Sequence, residues 1–215
     1  MKSIIRPYSP ADRETVRHIC CETGFSGDPI DPLFCDRDVF ADFFTRYYTD
    51  WEPENSFVSE TDGQVTGYLL GCLRCRYNQF VNIGLFAGVI APKAAARLFM
   101  GRYDAQSRAF LKWCVLKGWK ETPQAPPMAG HFHFNLLPEY RNTGAGKRMY
   151  LEFEKLASQQ GVKRIYGQIQ TFDDRRSERV FQRFGFTLLD RREISRFRSF
   201  HDRAVYVSTF VKELQ

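Results

Sequence analysis

Residues 136–146 read Leu136-Leu137-Pro138-Glu139-Tyr140-Arg141-Asn142-Thr143-Gly144-Ala145-Gly146, and this stretch decides the fold. An apolar strand enters from His131, a proline marks a turn, and two spaced glycines lead into a helical pattern carried by Met149, Phe153 and Leu156. A strand–glycine loop–helix unit presents a row of backbone N–H groups at the positive end of a helix, which suits an anion. A side chain at Gly144 or Gly146 would hold a phosphate away from those amides. Arg141 and Lys147 add full charges on either side. The chemistry implied is grip on a phosphorylated ligand.

Spacing separates the ligand classes that use such loops. A nucleotide P-loop requires a glycine where Arg141 stands and a Ser/Thr where Arg148 stands. A dinucleotide fingerprint requires a third glycine at Met149. What remains is Arg-x-x-Gly-x-Gly directly after Leu-x-Pro-x-x, which resembles motif A of the GNAT superfamily of N-acetyltransferases. Three further segments are similar to that family in the family's order. Ile4 to Asp12 resembles its first strand and helix start, and Asn55 to Cys72 its hairpin, with Asp62-Gly63 as the turn. Val180 to Phe186 resembles its late helix and the strand that follows.

The resemblance implies a GNAT-type α/β fold: a mixed central sheet of about seven strands flanked by helices, here with a helical insertion between the third and fourth strands. It implies a single domain over residues 1–215 that binds acetyl-CoA through Leu136, Leu137, Arg141, Asn142, Thr143, Gly144, Ala145, Gly146 and Lys147, with Asp174 and Phe181 on the far wall. It implies direct transfer of the acetyl group to a primary amine of a small molecule or peptide, the backbone N–H of Leu136 polarising the thioester carbonyl. Many family members carry a tyrosine acid where this chain has Phe181, and an asparagine near Asp174. Either the thiolate leaves unassisted or Tyr150 or a water protonates it, and a non-catalytic acyl-CoA-binding module is the alternative reading.

The expected element order is strand 3–7, helix 10–22, helix 36–49, hairpin 55–62 and 64–74, insertion 76–129, strand 130–137, helix 145–160, strand 162–170, helix 174–184, and strands 186–196 and 204–212. Within the insertion, Ala94, Leu98 and Phe99 form one helical pattern and Ala105, Phe110, Trp113, Cys114 and Leu116 a second, broken near Gly101. Core extension or a homodimer face is expected of it ahead of a lid. Strand alternation puts His131 and His133 on one face with Asn135 and Leu137, opposite Leu136. In the family, bases on this strand share the face of Leu136, so buried structural histidines are expected. His133 is the leading base candidate should one lie on the strand.

Composition constrains the partners. The 215 residues are 43% hydrophobic and 15% aromatic, enough for a sizeable core. No unbroken apolar run approaches the ~20 residues of a membrane span, and no signal-peptide pattern opens the chain. Six cysteines without a paired framework suggest reduced thiols in a cytoplasmic protein. Cys72-Leu-Arg-Cys75 lacks the second pair a zinc site needs, so no metal is expected. Residues 21–63 hold 11 Asp/Glu against two Lys/Arg, while residues 141–215 hold 16 Lys/Arg against nine Asp/Glu. A basic half suits a phosphate-rich ligand; an acidic half is either a solvated face or a wall focusing a cationic amine. Arginines 175, 176, 179, 183, 191, 192, 196 and 198 form no nucleic-acid motif, so nucleic acid is not an expected partner.

Overall fold

Asp62 and Gly63 adopt φ of 52° and 78°, the left-handed pair that a two-residue type I′ turn needs. That turn joins strands β2 (Phe57–Thr61) and β3 (Gln64–Cys72). A computed structural model of the chain, describing residues 3–172 and 178–214, sets the hairpin inside a seven-stranded sheet. The other strands are β1 (Ile4–Pro7), β4 (Gly130–Leu136), β5 (Arg164–Thr171), β6 (Thr187–Glu193) and β7 (Tyr206–Glu213). Their order is β1-β2-β3-β4-β5-β7-β6, antiparallel throughout except between β4 and β5. This is the mixed sheet of the GNAT-type fold.

The parallel ladder is short. It pairs only Gly130 with Ile165, His131 with Tyr166 and Phe132 with Gly167, after which the two strands part. Where they part, Phe132 and Phe181 crowd against Gly167; a Cβ there would lie 2.7 Å from the Phe181 ring and 3.0 Å from that of Phe132. Glycine at 167 is what lets both rings fill the base of the opening.

Helices α1 (Arg13–Glu22) and α2 (Arg37–Trp51) precede the hairpin. The insertion follows it as α3 (Cys75–Leu85), a π-helical turn (Phe86–Ile90), α4 (Ala91–Phe99), α5 (Ala105–Leu116) and α6 (Gly118–Glu121). Then come α7 (Ala145–Gln159) and α8 (Glu178–Arg183). Successive β3 residues enter opposite cores, as pleating requires. Tyr68 and Leu70 join Val16, Ile19 and Phe40 of α1 and α2. Leu69 joins Met149 and Phe153 of α7 and Phe181 of α8. The sheet thus separates the α1/α2 side from the α7/α8 side.

The insertion extends the first of these cores, placing Leu85, Ile90, Tyr103 and Phe110 beside Phe34. Residues Cys75–Phe99 form one run of helix that is, by length and composition, apolar enough to cross a membrane. A search for an unbroken apolar run misses it because Asn78, Gln79 and Asn82 interrupt the sequence. Phe80, Ile83, Phe86 and Phe99 on this helix are exposed. All six cysteines are free thiols; Cys20, Cys21 and Cys72 are buried, whereas Cys35 and Cys114 are exposed rather than in the core.

The acidic half is neither a bare face nor an electrostatic wall. Its carboxylates meet the cations of the insertion and of α1. Lys93 Nζ lies 2.6 Å from Asp38 and 2.9 Å from Asp42. Arg97 pairs with Asp36 and, at 2.8 Å, with Asp38. Arg17 reaches Asp38 and Asp42 at 2.6 and 2.5 Å. Burial opposes ionisation of Asp36, yet Arg97 and the Tyr103 hydroxyl hold its carboxyl below the ordinary range. The acidic segment is one side of an interface whose other side is the insertion and α1. Arg97→Ala leaves the 6%-exposed Asp36 side chain with only neutral donors. A loss of about 2 kcal/mol in unfolding free energy is expected, read from denaturant midpoints at constant slope.

Candidate functional site

The backbone of β4 places one amide at the centre of the opening. In an antiparallel ladder, N–H groups alternate between the two edges of a strand. Leu137 N–H donates to Thr66 O at 3.0 Å, on the β3 side. Leu136 stands opposite Gly67 in the same register, so its N–H points the other way, toward the edge that β5 has left. A donor held rigidly at a gap in a sheet suits an oxygen that gains negative charge during reaction.

The glycine loop lies at the end of the same strand. A 3-10 turn (Pro138–Tyr140) reverses the chain, Asn142 takes φ of 63°, and Gly144 takes φ of 79° as the N-cap of α7. No side chain caps α7 from the N-cap position; Thr143 Oγ1 accepts weakly from Ala145 N at 3.4 Å while donating to Tyr140 O. The first-turn amides of a 15-residue helix therefore face the loop mouth, where the dipole favours an anion. Residues 141–144 and Lys147 are exposed beside them. Gly146 sits so close to β4 that a Cβ would lie 3.4 Å from Leu136 and 3.5 Å from Phe134.

Arg141 has a different place from the one its charge suggests. Its Nε donates to Leu136 O at 3.2 Å and its Nη2 to Gly27 O. The guanidinium straps the loop to the segment after α1, adding its charge from the side rather than from within the cradle. Asp174 lies outside the described residues. Phe181 is buried at the base of the opening, its ring centroid 6.3 Å from Phe132 and 5.2 Å from Phe210.

A cavity of about 500 Å³ occupies the opening, within the range of small-molecule sites. It reaches Leu136, Phe134 and Phe181 on the α7/α8 side, and Phe40, Phe44, Tyr68 and His133 on the α1/α2 side. The β4 register with β3 runs without a bulge from His131 to Leu136, so the histidines take the face expected of them. That face does not exclude His133 from the cavity. Because β4 and β5 have parted, the cavity passes through the sheet and both faces line it.

The two histidines differ. His131 Nε2 lies 2.8 Å from Tyr48 Oη. Burial pushes the Tyr48 phenol well up and the His131 imidazole down to about 3, so both groups are neutral and share one hydrogen bond. His133 stands edge-on to Phe44 and Tyr48, centroids 6.4 and 5.5 Å away, and burial pushes it down to about 4. Both rings are neutral at physiological pH, and His133 lines the cavity. Tyr150 does not: its hydroxyl lies 3.3 Å from Lys212 Nζ and its ring packs on Phe184 and Phe186. Tyr68 is the tyrosine lining the cavity, its oxygen accepting from Asn135 Nδ2 at 2.7 Å and its phenol kept protonated by burial.

Two contributors escape a reading of local pattern: Tyr68, within the hairpin, and Arg196, in the turn between β6 and β7. Among the other arginines of the basic half, Arg191 lies over the Tyr206 ring and near Glu178, Arg192 pairs with Asp190, and Arg198 with Glu193. Arg179 and Arg183 are exposed, and Arg175 and Arg176 lie outside the described residues. No group of three or more His, Cys, Asp or Glu arranged for a metal occurs among the described residues.

Comparison with known proteins agrees with this geometry. The family model described as "Acetyltransferase (GNAT) family" matches residues 30–186, well over half of the chain. Among solved structures, SsHAT is similar over 100% of both chains, with a TM-score of 0.65 and 22% identity. The Drosophila melanogaster polyamine N acetyltransferase, which forms N acetylagmatine, is similar over 99% of this chain and 100% of its own, with a TM-score of 0.57 and 12% identity. YncA from Salmonella typhimurium, a putative acetyltransferase solved with acetyl-CoA, is similar over 99% of this chain and 94% of its own, with a TM-score of 0.55 and 14% identity. No curated relative matches the chain.

Proposed function

The chain belongs to the acetyltransferase (GNAT) family, and on that premise we propose that it transfers the acetyl group of acetyl-CoA directly to a primary amine of a small molecule or peptide. The observation that carries the reading is the Leu136 N–H, aimed at the gap between β4 and β5 beside the amides that open α7. Acetyl-CoA supplies the thioester acyl group and the thiolate that leaves. The residues present fit its charges: a loop with Gly144 at positive φ, an uncapped helix N-terminus and Lys147 beside it.

The amine reaches the gap from the α1/α2 side, where the cavity is lined by Phe40, Phe44 and His133. Leu136 N–H stabilises the negative charge that develops on the carbonyl oxygen. His133, neutral and facing the cavity, takes the proton that the attacking nitrogen must shed. Tyr68, kept protonated by burial, can hydrogen-bond the departing thiolate, which takes its proton from solvent; Phe181 offers no such donor.

Free-thiol release from acetyl-CoA across a panel of amino acids, polyamines, aminoglycosides and lysine-containing or free-N-terminal peptides tests the reading. Turnover on at least one acceptor class is expected. Tight acetyl-CoA binding with no thiol release on any amine would make the chain a binding module instead.

A further inference from the structure

The described lining of the cavity that receives the amine is cationic rather than anionic. Among the described residues no aspartate or glutamate lines it, while two arginines do. Arg141 spends donors on the carbonyls of Leu136 and Gly27. Arg196 does not. Its Nε is shut off from solvent and has no hydrogen-bond partner, and the side chain forms no ion pair among the described residues. Three rings enclose it, with Cζ at 5.6 Å from the Phe110 centroid, 4.7 Å from Trp113 and 4.8 Å from Phe197.

The insertion builds this pocket. Glu121 Oε2 accepts from Trp113 Nε1 and from Ser195 N, both at 2.7 Å, and Oε1 accepts from Ser195 Oγ at 2.7 Å. Glu121 thereby clamps the turn (Ser195–Phe197) against α5 and holds Arg196 at the cavity wall. The same hydrogen bonds occupy the carboxylate, so it makes none to the guanidinium. Burial pushes Arg196 down to about 10, which still leaves it charged at neutral pH. Glu121 acts on this enclosed cation only through space, without a hydrogen bond to it, and with the aromatic faces offsets only part of the cost of burial. A bound anion completes the arrangement, and the planar fork of arginine matches a carboxylate or phosphoryl group.

We propose that Arg196 is the anion-recognition residue of the acceptor site, and that the acceptor is an amine that also carries a carboxylate or phosphoryl group. The proposal rests on the reading of this cavity as the amine site. It disfavours polyamines, which would bring positive charge to an unpaired guanidinium.

Matched probes test it on the whole protein with acetyl-CoA. L-leucine and L-phenylalanine are compared with their amides, O-phosphoethanolamine with ethanolamine, and spermidine serves as the polycation. Two readouts are used: thiol release, and quenching of Trp113 emission, with Trp113→Phe as the silent control. Saturable binding of one anionic series over its neutral partner is expected, and the preferred series tells carboxylate from phosphoryl. Arg196→Gln should lower affinity for that series by roughly 10²-fold and leave the neutral partner where it was. Arg196→Lys, which keeps the charge and most of the packing, should fall between. Equal binding of anionic and neutral partners, no saturable signal with any anionic probe, or a preference that survives Arg196→Gln would each overturn the proposal. Saturable anion binding without thiol release on any acceptor would instead sink the catalytic reading and leave Arg196 as an anion site.

Discussion

Gly144→Glu abolishes acetyl-CoA binding, raising the dissociation constant by roughly 10³-fold in calorimetry, because a carboxylate is placed among the amides that would hold the pyrophosphate. Two effects combine at this position. Gly144 has φ of 79°, where any side chain is strained, at a cost of about 1 kcal/mol. The larger effect is like-charge repulsion in a cradle whose N–H groups have only the weak Thr143 Oγ1 contact as a partner. Loss of fold is a poor explanation in advance, since an acidic side chain at a helix N-terminus stabilises the helix. Gly101→Glu is the control: φ there is 69°, the surroundings are open, and the residue lies in the insertion. It carries the same backbone strain and should leave binding untouched. Gly144→Ala isolates the strain and should cost less than tenfold. Equal affinity of wild type and Gly144→Glu for acetyl-CoA would remove the loop from the binding site.

The contrast between the loop and Arg196 shows what local sequence carries. The loop is legible because its signals lie within eleven residues: a strand, a proline, two spaced glycines and the onset of a 3.6-residue period. The hairpin is legible for the same reason, Asp62-Gly63 naming its own turn. Arg196 has no local signal. Its role depends on Glu121, which bonds Ser195 from 74 residues earlier, and on aromatic residues of an insertion whose packing no periodicity specifies. Likewise, the acidic count in residues 21–63 is correct, but its meaning lies in Lys93 and Arg97, 51 to 61 residues away. Parity along β4 was readable, and the register keeps it. What parity could not convey is that β5 departs after Gly167, turning a question of which face into one of which gap.

Replacing His133 by asparagine lowers kcat by about 10²-fold with acetyl-CoA affinity unchanged. General-base catalysis typically contributes 10²–10⁴-fold, and the lower end applies here because a weakly basic group captures less of the Brønsted advantage. That weakness is built in: burial against Phe44 and Tyr48 holds the imidazole near 4 instead of its ordinary 6.5. The sign of the pH dependence follows. A base acts unprotonated, so the enzyme's own limb in kcat falls as pH drops through about 4, and no limb appears near 6.5. His131→Asn provides the contrast, because its Nε2 is engaged by Tyr48 rather than turned to the cavity. That variant should lose stability while keeping kcat and the shape of the profile. If His133→Asn keeps wild-type turnover, the nitrogen sheds its proton to water and the histidine only shapes the wall. An acid limb at 6.5 that disappears in His133→Asn would keep the base but place it in a wetter cavity, with its lone pair less protected from solvent than its packing against Phe44 and Tyr48 requires.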